Sequence, residues 1–165
     1  MRLHASCVYW PRGGVLLRGA PGRGKSDLAW RLMAEAGAQF IGDDQIELHL
    51  SDGALMARPC VPGLLEVRGL GLVRVPFRDQ GEVKLVIDLT DDMPRMPEPR
   101  FERFLGISLP CLSLLSFDIN AVRRIHLALH TIGQNGFPDD GIIEFDGASG
   151  IASAAIKGHS ANNKE

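Results

Sequence analysis

Cysteine is sparse in this 165-residue sequence: Cys7, Cys60 and Cys111 stand far apart and form no C-x-x-C pair. That count and spacing argue against a disulfide framework and against a structural zinc site. The expectation is three reduced, partly buried thiols. Aromatic residues are also scarce. Tyr9, Trp10 and Trp30 are too few and too scattered to form a stacking platform for single-stranded nucleic acid. There is no basic excess either. Eighteen Lys and Arg against twenty Asp and Glu give a net charge of -2, whereas nucleic-acid partners usually demand a positive surface. No apolar run reaches the roughly 18 residues of a membrane-spanning helix, and Met1 to Ser6 lacks the basic and apolar segments of a secretory signal. A cytoplasmic protein with neither nucleic-acid nor membrane partners is expected.

What remains is ordinary globular composition, 45% hydrophobic and 23% charged, in a length that suits one domain. Gly14–Arg18 carries the short apolar run Val15-Leu16-Leu17, which reads as a buried strand. From Lys25 to Ala36, Leu28, Ala29, Leu32, Met33 and Ala36 recur at three- and four-residue spacing, which predicts a helix with one apolar stripe. Gly37 suits the left-handed position just past its end. Phe40 and Ile41 lead a second strand toward Asp43 and Asp44. Residues 46–50 and 54–57 read as a hairpin around Ser51-Asp52-Gly53. Residues 64–77 are strand-like but punctuated by Gly69 and Gly71, and Val83–Leu89 is a further strand. Residues 90–110 are expected to form a long loop, and 111–117 and 122–130 two more strands. The tail after Thr131 carries no assignable pattern, so the expected layout is a single domain over 1–135 and an unassigned tail over 136–165.

The strongest chemical signal is Gly19-Ala20-Pro21-Gly22-Arg23-Gly24-Lys25-Ser26, which fits G-x-x-x-x-G-K-[ST] at every defined position and lies between a strand and a helix. Glycines let the main-chain N–H groups face phosphate oxygens, and the helix adds its positive dipole end. Lys25 is placed to meet the terminal phosphates and Ser26 to coordinate Mg²⁺. Three acidic features compete for the remaining roles. Asp88 closes an apolar strand and is a candidate metal ligand, or simply turn chemistry. Asp43 and Asp44 should lie beside the phosphate site if the chain winds β-α-β, and one of them could accept a proton. Glu66 and Arg68 share a strand face just before two glycines, either as a functional pair or as a structural salt bridge.

Four of these segments resemble the catalytic domain of HPr kinase/phosphorylase: Leu3-His4 fifteen residues before the loop, the loop itself with Asp43-Asp44 after it, Leu64-Leu65-Glu66-Val67-Arg68-Gly69-Leu70-Gly71, and Phe101-Glu102-Arg103. The resemblance spans roughly residues 3–130. It implies an α/β P-loop nucleotide-binding domain akin to phosphoenolpyruvate carboxykinase, in a short form without the N-terminal domain of longer members. It implies an ATP- and Mg²⁺-dependent kinase that phosphorylates a serine of the phosphocarrier HPr, with phosphorolysis of the phosphoserine as the reverse activity and a hexameric assembly. By position, Asp44 would be the base, His4 and Lys25 would meet the phosphates, Ser26 and Glu66 would hold Mg²⁺, and Arg103 would stabilise charge on the transferred group. Residues Gly19–Ser26, Asp43 and Arg68 would line the nucleotide site. The segment Asp118–Arg124 departs from the family, lacking the Pro- and Gly-containing run used in phosphorolysis.

His126 and His130 are four apart, but Arg124, His126, Ala128 and His130 alternate with Ile125, Leu127 and Leu129. That alternation predicts a strand, on which the rings would lie about 13 Å apart, too far to share a metal. His49 and His159 are expected to be solvated, and Trp30 to pack against the sheet. Arg95, Arg100 and Arg103 could belong to a loop that closes over nucleotide. Two other functions remain open on the sequence: a non-catalytic nucleotide-sensing module, and a generic small-molecule kinase or NTPase using Asp88 for metal.

Overall fold

The computed structural model of the chain describes residues 1–145; His159 and most of the unassigned tail lie outside them. The elements follow as β1 (Arg2–His4), β2 (Ser6–Trp10), β3 (Gly13–Arg18), α1 (Lys25–Ala36), β4 (Gln39–Gly42), β5 (Gln45–Ser51) and β6 (Ala54–Pro59). Then come β7 (Leu64–Val67), β8 (Gly71–Arg74), β9 (Gly81–Leu89), β10 (Phe101–Phe104), β11 (Ile107–Leu114), α2 (Ala121–His130) and α3 (Ile132–Asn135). Nine strands form one sheet in the order β1-β5-β6-β9-β3-β2-β4, with β11 joined to β9 and β10 to β11; β7 and β8 pair on their own.

Strand β3 is buried from Gly13 to Leu17 because both of its faces are covered. Val15 and Leu17 point into a core shared with Leu28 and Leu32 of α1 and Ile125 and Leu129 of α2. Leu16 points the other way, into a second core with Ile46 and Leu48 of β5 and Phe104 of β10. A continuous apolar run is what a strand covered on two sides requires. Burying leucines such as Leu28 and Leu32 contributes about 2 kcal/mol each, which fixes α1 against the sheet. The helix runs over Lys25–Ala36 as its spacing predicts, and ends at Gly37 with φ 68° and its N–H on Leu32 O. The β5–β6 hairpin turns through Asp52 and Gly53, both at positive φ, the geometry that matches strand twist.

Six expectations need correction. Residues 122–130 are helical: the buried residues Ala121, Val122, Ile125, Ala128 and Leu129 recur at three and four, and this periodicity overrides the two-residue alternation of polar side chains. The His126 and His130 rings are therefore in edge contact, with centroids 4.4 Å apart rather than about 13 Å. The 90–110 stretch holds β10 and the start of β11, because Phe104 and Leu109 find the second core. Trp30 lies on the outer side of α1 and is 45% exposed. His49 is not freely solvated, since its Nδ1 is buried without a partner. Finally, the β3–α1–β4 winding is not direct. Strand β2 lies between β3 and β4, antiparallel to both, so β3 and β4 still run the same way.

Candidate active site

Because β3, β4, β9 and β11 run in one direction, the segments that follow them emerge at a common edge of the sheet. The glycine loop after β3 is one of them. Gly24 caps α1 at φ 84°, in the left-handed region. A methyl group built on it would stand 3.1 Å from both Phe117 Cζ and Ser116 Oγ, so conformation and space alike call for glycine. The N–H groups of the first helical turn have no intrahelical acceptor, and with the helix dipole they favour an anion here. Lys25 is buried and curls back over the loop, its ammonium donating to Gly19 O at 2.8 Å and Ala20 O at 3.3 Å. Burial lowers its pKa below the ordinary lysine value, against the opposing pull of Asp43 and Asp44. Arg23 turns away and pairs with Asp91.

Asp43 and Asp44 face different surroundings although they are neighbours. Asp43 is buried, and its two carboxylate oxygens accept from the Ser6 hydroxyl and from the Ser26 hydroxyl, the latter at 2.7 Å. Asp44 has φ 64° and sits at the centre of a tight turn in which Gln45 N–H donates to Asp43 O at 2.7 Å. That positive φ is unusual for a residue with a side chain and costs on the order of 1–3 kcal/mol. It swings the Asp44 carboxylate outward, 75% exposed, with Oδ1 3.0 Å from His4 Nε2. Strand β1 delivers His4 by pairing it with Gln45, and Ala5 N–H then donates to Asp44 O. His4 and Ser6, two residues apart, thus hold the two aspartates in turn.

Glu66 and Arg68, from the β7–β8 hairpin, also line the cleft and are not paired with each other. His4, Lys25, Ser26, Asp43, Asp44, Glu66, Arg68, loop residues Pro21, Gly22 and Gly24, and Phe117 surround one cleft of about 290 Å³. Arg103 is exposed on β10 and does not line it. Ser6 and Phe117 are missed by sequence reasoning. The two-residue spacing from His4 could have found Ser6, whereas nothing local points to Phe117.

A second polar cluster lies beside this cleft. Asp88 accepts from Arg18 at 2.8 and 3.0 Å and from Arg100 at 2.7 Å, while Glu102 accepts from Arg18 at 2.6 Å. Burial pushes the Asp88 pKa up, but the Arg18 hydrogen bonds and charge, with Cys111 and Arg100, outweigh it and hold the carboxylate below its usual range. Asp88 is therefore the anion of a structural ion-pair network, which favours neither of its two sequence readings, metal ligand or turn residue. Arg100 belongs to this cluster rather than to a closing loop.

Strand, glycine loop and helix around an acidic cleft define a mixed α/β domain of the P-loop kinase type. The chain belongs to the HPr Serine kinase C-terminal domain family, whose model matches residues 1–123. No curated protein matches the sequence. A solved structure of the Hpr(Ser) kinase/phosphatase from Coxiella burnetii is similar, with 29% identity over 76% of this chain and 90% of that one and a TM-score of 0.64. Among the described residues no helix is long and apolar enough to cross a membrane.

Proposed function

We propose that this domain transfers the γ-phosphoryl group of ATP to a serine hydroxyl of an HPr-type phosphocarrier protein in the cytoplasm. The observation that carries the reading is the division between the two aspartates. One is locked by two serines beside the phosphate loop, and the other is held outward over the same cleft with only an imidazole against it. Phosphoryl transfer needs positioning, positive charge and a base that accepts the hydroxyl proton. The loop amides and Lys25 bind the β- and γ-phosphates. Asp44 takes the serine proton as its oxygen attacks the γ-phosphorus, the bond to the bridging oxygen breaks, and ADP departs. His4 holds Asp44 in place, and Arg68, which lines the cleft, supplies the cation that the resemblance assigned to Arg103. In the reverse direction inorganic phosphate attacks phosphoserine, releasing pyrophosphate, and protonated Asp44 returns the proton to serine.

The cleft suits magnesium. Ser26 spends its proton on Asp43 and so keeps its lone pairs available, and Glu66 offers a carboxylate from the facing hairpin. These are the hard oxygen donors that Mg²⁺ takes together with phosphates. Bound there, the ion would neutralise charge on the phosphate oxygens. The test is incubation with HPr and labelled ATP, then in reverse with excess phosphate. Phosphoserine should form, and Asp44→Asn should lower the rate about a thousandfold while nucleotide still binds. Normal transfer by Asp44→Asn would refute the assignment of the base.

A further inference from the structure

We propose that the segment joining β11 to α2, residues 115–120, is the base-binding wall of the nucleotide site, with Phe117 as its stacking platform. This rests on the nucleotide reading above and names a subsite for it. Three observations carry it.

The first is the ring itself. Phe117 is 72% exposed, an unusual state for phenylalanine, yet it lines the phosphate cleft and packs over Gly24 of the phosphate loop. The second is rigidity. Arg31 of α1 donates to the carbonyls of Ser116 at 3.3 Å, Asp118 at 3.2 Å and Ile119 at 3.2 Å, tying this segment to the phosphate-loop helix. Asp118 pairs with Arg124 and accepts Asn120 N–H at 2.7 Å. An exposed aromatic on so fixed a segment is preorganised to receive a flat partner.

The third is direction. In the sheet, β4 with its two aspartates lies two strands from β3 on one side, and β11 lies two strands from β3 on the other. The γ-phosphate must approach Asp44, so the rest of the nucleotide extends the opposite way, past Ser26 and toward Phe117. A purine stacked on the ring would fill that end of the cleft, and stacking asks for a π-face rather than a particular hydrogen-bond pattern.

The experiment compares MgATP with magnesium tripolyphosphate, which has the phosphates and no base, by calorimetric titration into the full chain. Phe117→Ala should weaken ATP about tenfold and leave tripolyphosphate within about twofold, whereas Phe117→Tyr should keep wild-type affinity for both. Phe117→Trp should add a fluorescence signal, above that of Trp10 and Trp30, that ATP quenches and tripolyphosphate does not. Equal weakening of both ligands by Phe117→Ala would reduce the ring to a support for the loop and overturn the proposal. So would unchanged ATP affinity with a raised KM for the carrier protein, which would make Phe117 a protein-docking residue. A wild-type chain that binds neither ligand would take down the nucleotide reading itself, an outcome distinct from both.

Discussion

Two polar clusters stand at the same edge of the sheet, and they are built in opposite ways. In one, Asp88 and Glu102 have their oxygens matched by the guanidinium groups of Arg18 and Arg100. In the other, Asp44 meets a single exposed imidazole, and among the described residues neither Glu66 nor Arg68 joins an ion pair. The first contains the more suggestive set of ligand types, since Asp88, Glu102 and Cys111 bring donor atoms within 4.8 Å of one another. The cations already threaded through it make it a structural lock between β3, β9 and β10. Residue type therefore says less about function than whether each group has spent its hydrogen-bonding capacity. The cleft is where capacity is left over, and its one well-satisfied acid, Asp43, is held by two hydroxyls, one of them from Ser26 of the phosphate loop itself.

The sharpest way to break this contrast is to exchange one carboxylate for an amide in each cluster. Asp44→Asn should cost about a thousandfold in the rate of phosphoserine formation with little change in the urea midpoint. The thiols separate the clusters next. Burial pushes Cys7 up to about 12 and Cys111 up to about 11, while Cys60 is only half-buried. In native protein at pH 8, Cys60 should therefore react with a disulfide reagent at least about a hundredfold faster than the other two. Rapid labelling of Cys111 would show that the Arg18 cluster opens readily. Asp88→Asn should act on stability instead of chemistry. Removing one partner of a buried pair costs about 3–5 kcal/mol, and the Arg18 and Asp88 side chains retain about a fifth of their exposure. About 2 kcal/mol, read from urea denaturation, is the expected loss, with the rate per folded molecule close to that of wild type.

How far the sequence foretold these clusters depended on how local the causes were. The phosphate loop and α1 were legible because glycine conformations, the lysine and the three- and four-residue apolar spacing all act within about twenty residues. The aspartate pair was offered by the winding of the chain, but the choice of Asp44 over Asp43, and His4 altogether, came only through a resemblance. What sets Asp44 apart from Asp43 is a positive φ and a serine thirty-seven positions earlier in the chain, and no local pattern encodes either. The misreading of 122–130 has a definite cause. Over ten residues the polar side chains alternate while the apolar ones keep helical spacing, and only packing against α1 and β9 decides between the periods. Strand β10 was hidden by its Phe-Glu-Arg-Phe composition, in which Glu102 serves the ion-pair cluster and only Phe104 is buried. The segment carrying Phe117 was read as the end of a strand, because Arg31 holds it through backbone carbonyls that leave no trace in its own side chains.

That misread helix also carries the smallest expected effect, one that belongs to neither cluster. The His126 ring packs against Trp10 and against His130. Burial, and then the charge of His130, pull its pKa down to about 4. In the unfolded chain the same imidazole titrates near the ordinary value of about 6.5. Between those two values the unfolded state binds a proton that the folded state refuses, so stability must fall as the pH is lowered through that window. The ring is only half-buried and water screens part of the effect, which leaves about 1 kcal/mol between pH 7 and pH 4. His126→Gln removes the titration, so its urea midpoint should decline less steeply over that range than the wild-type midpoint. Parallel declines would mean that the acid sensitivity comes from elsewhere, first from Asp88, whose carboxyl the Arg18 hydrogen bonds and charge hold below its usual range.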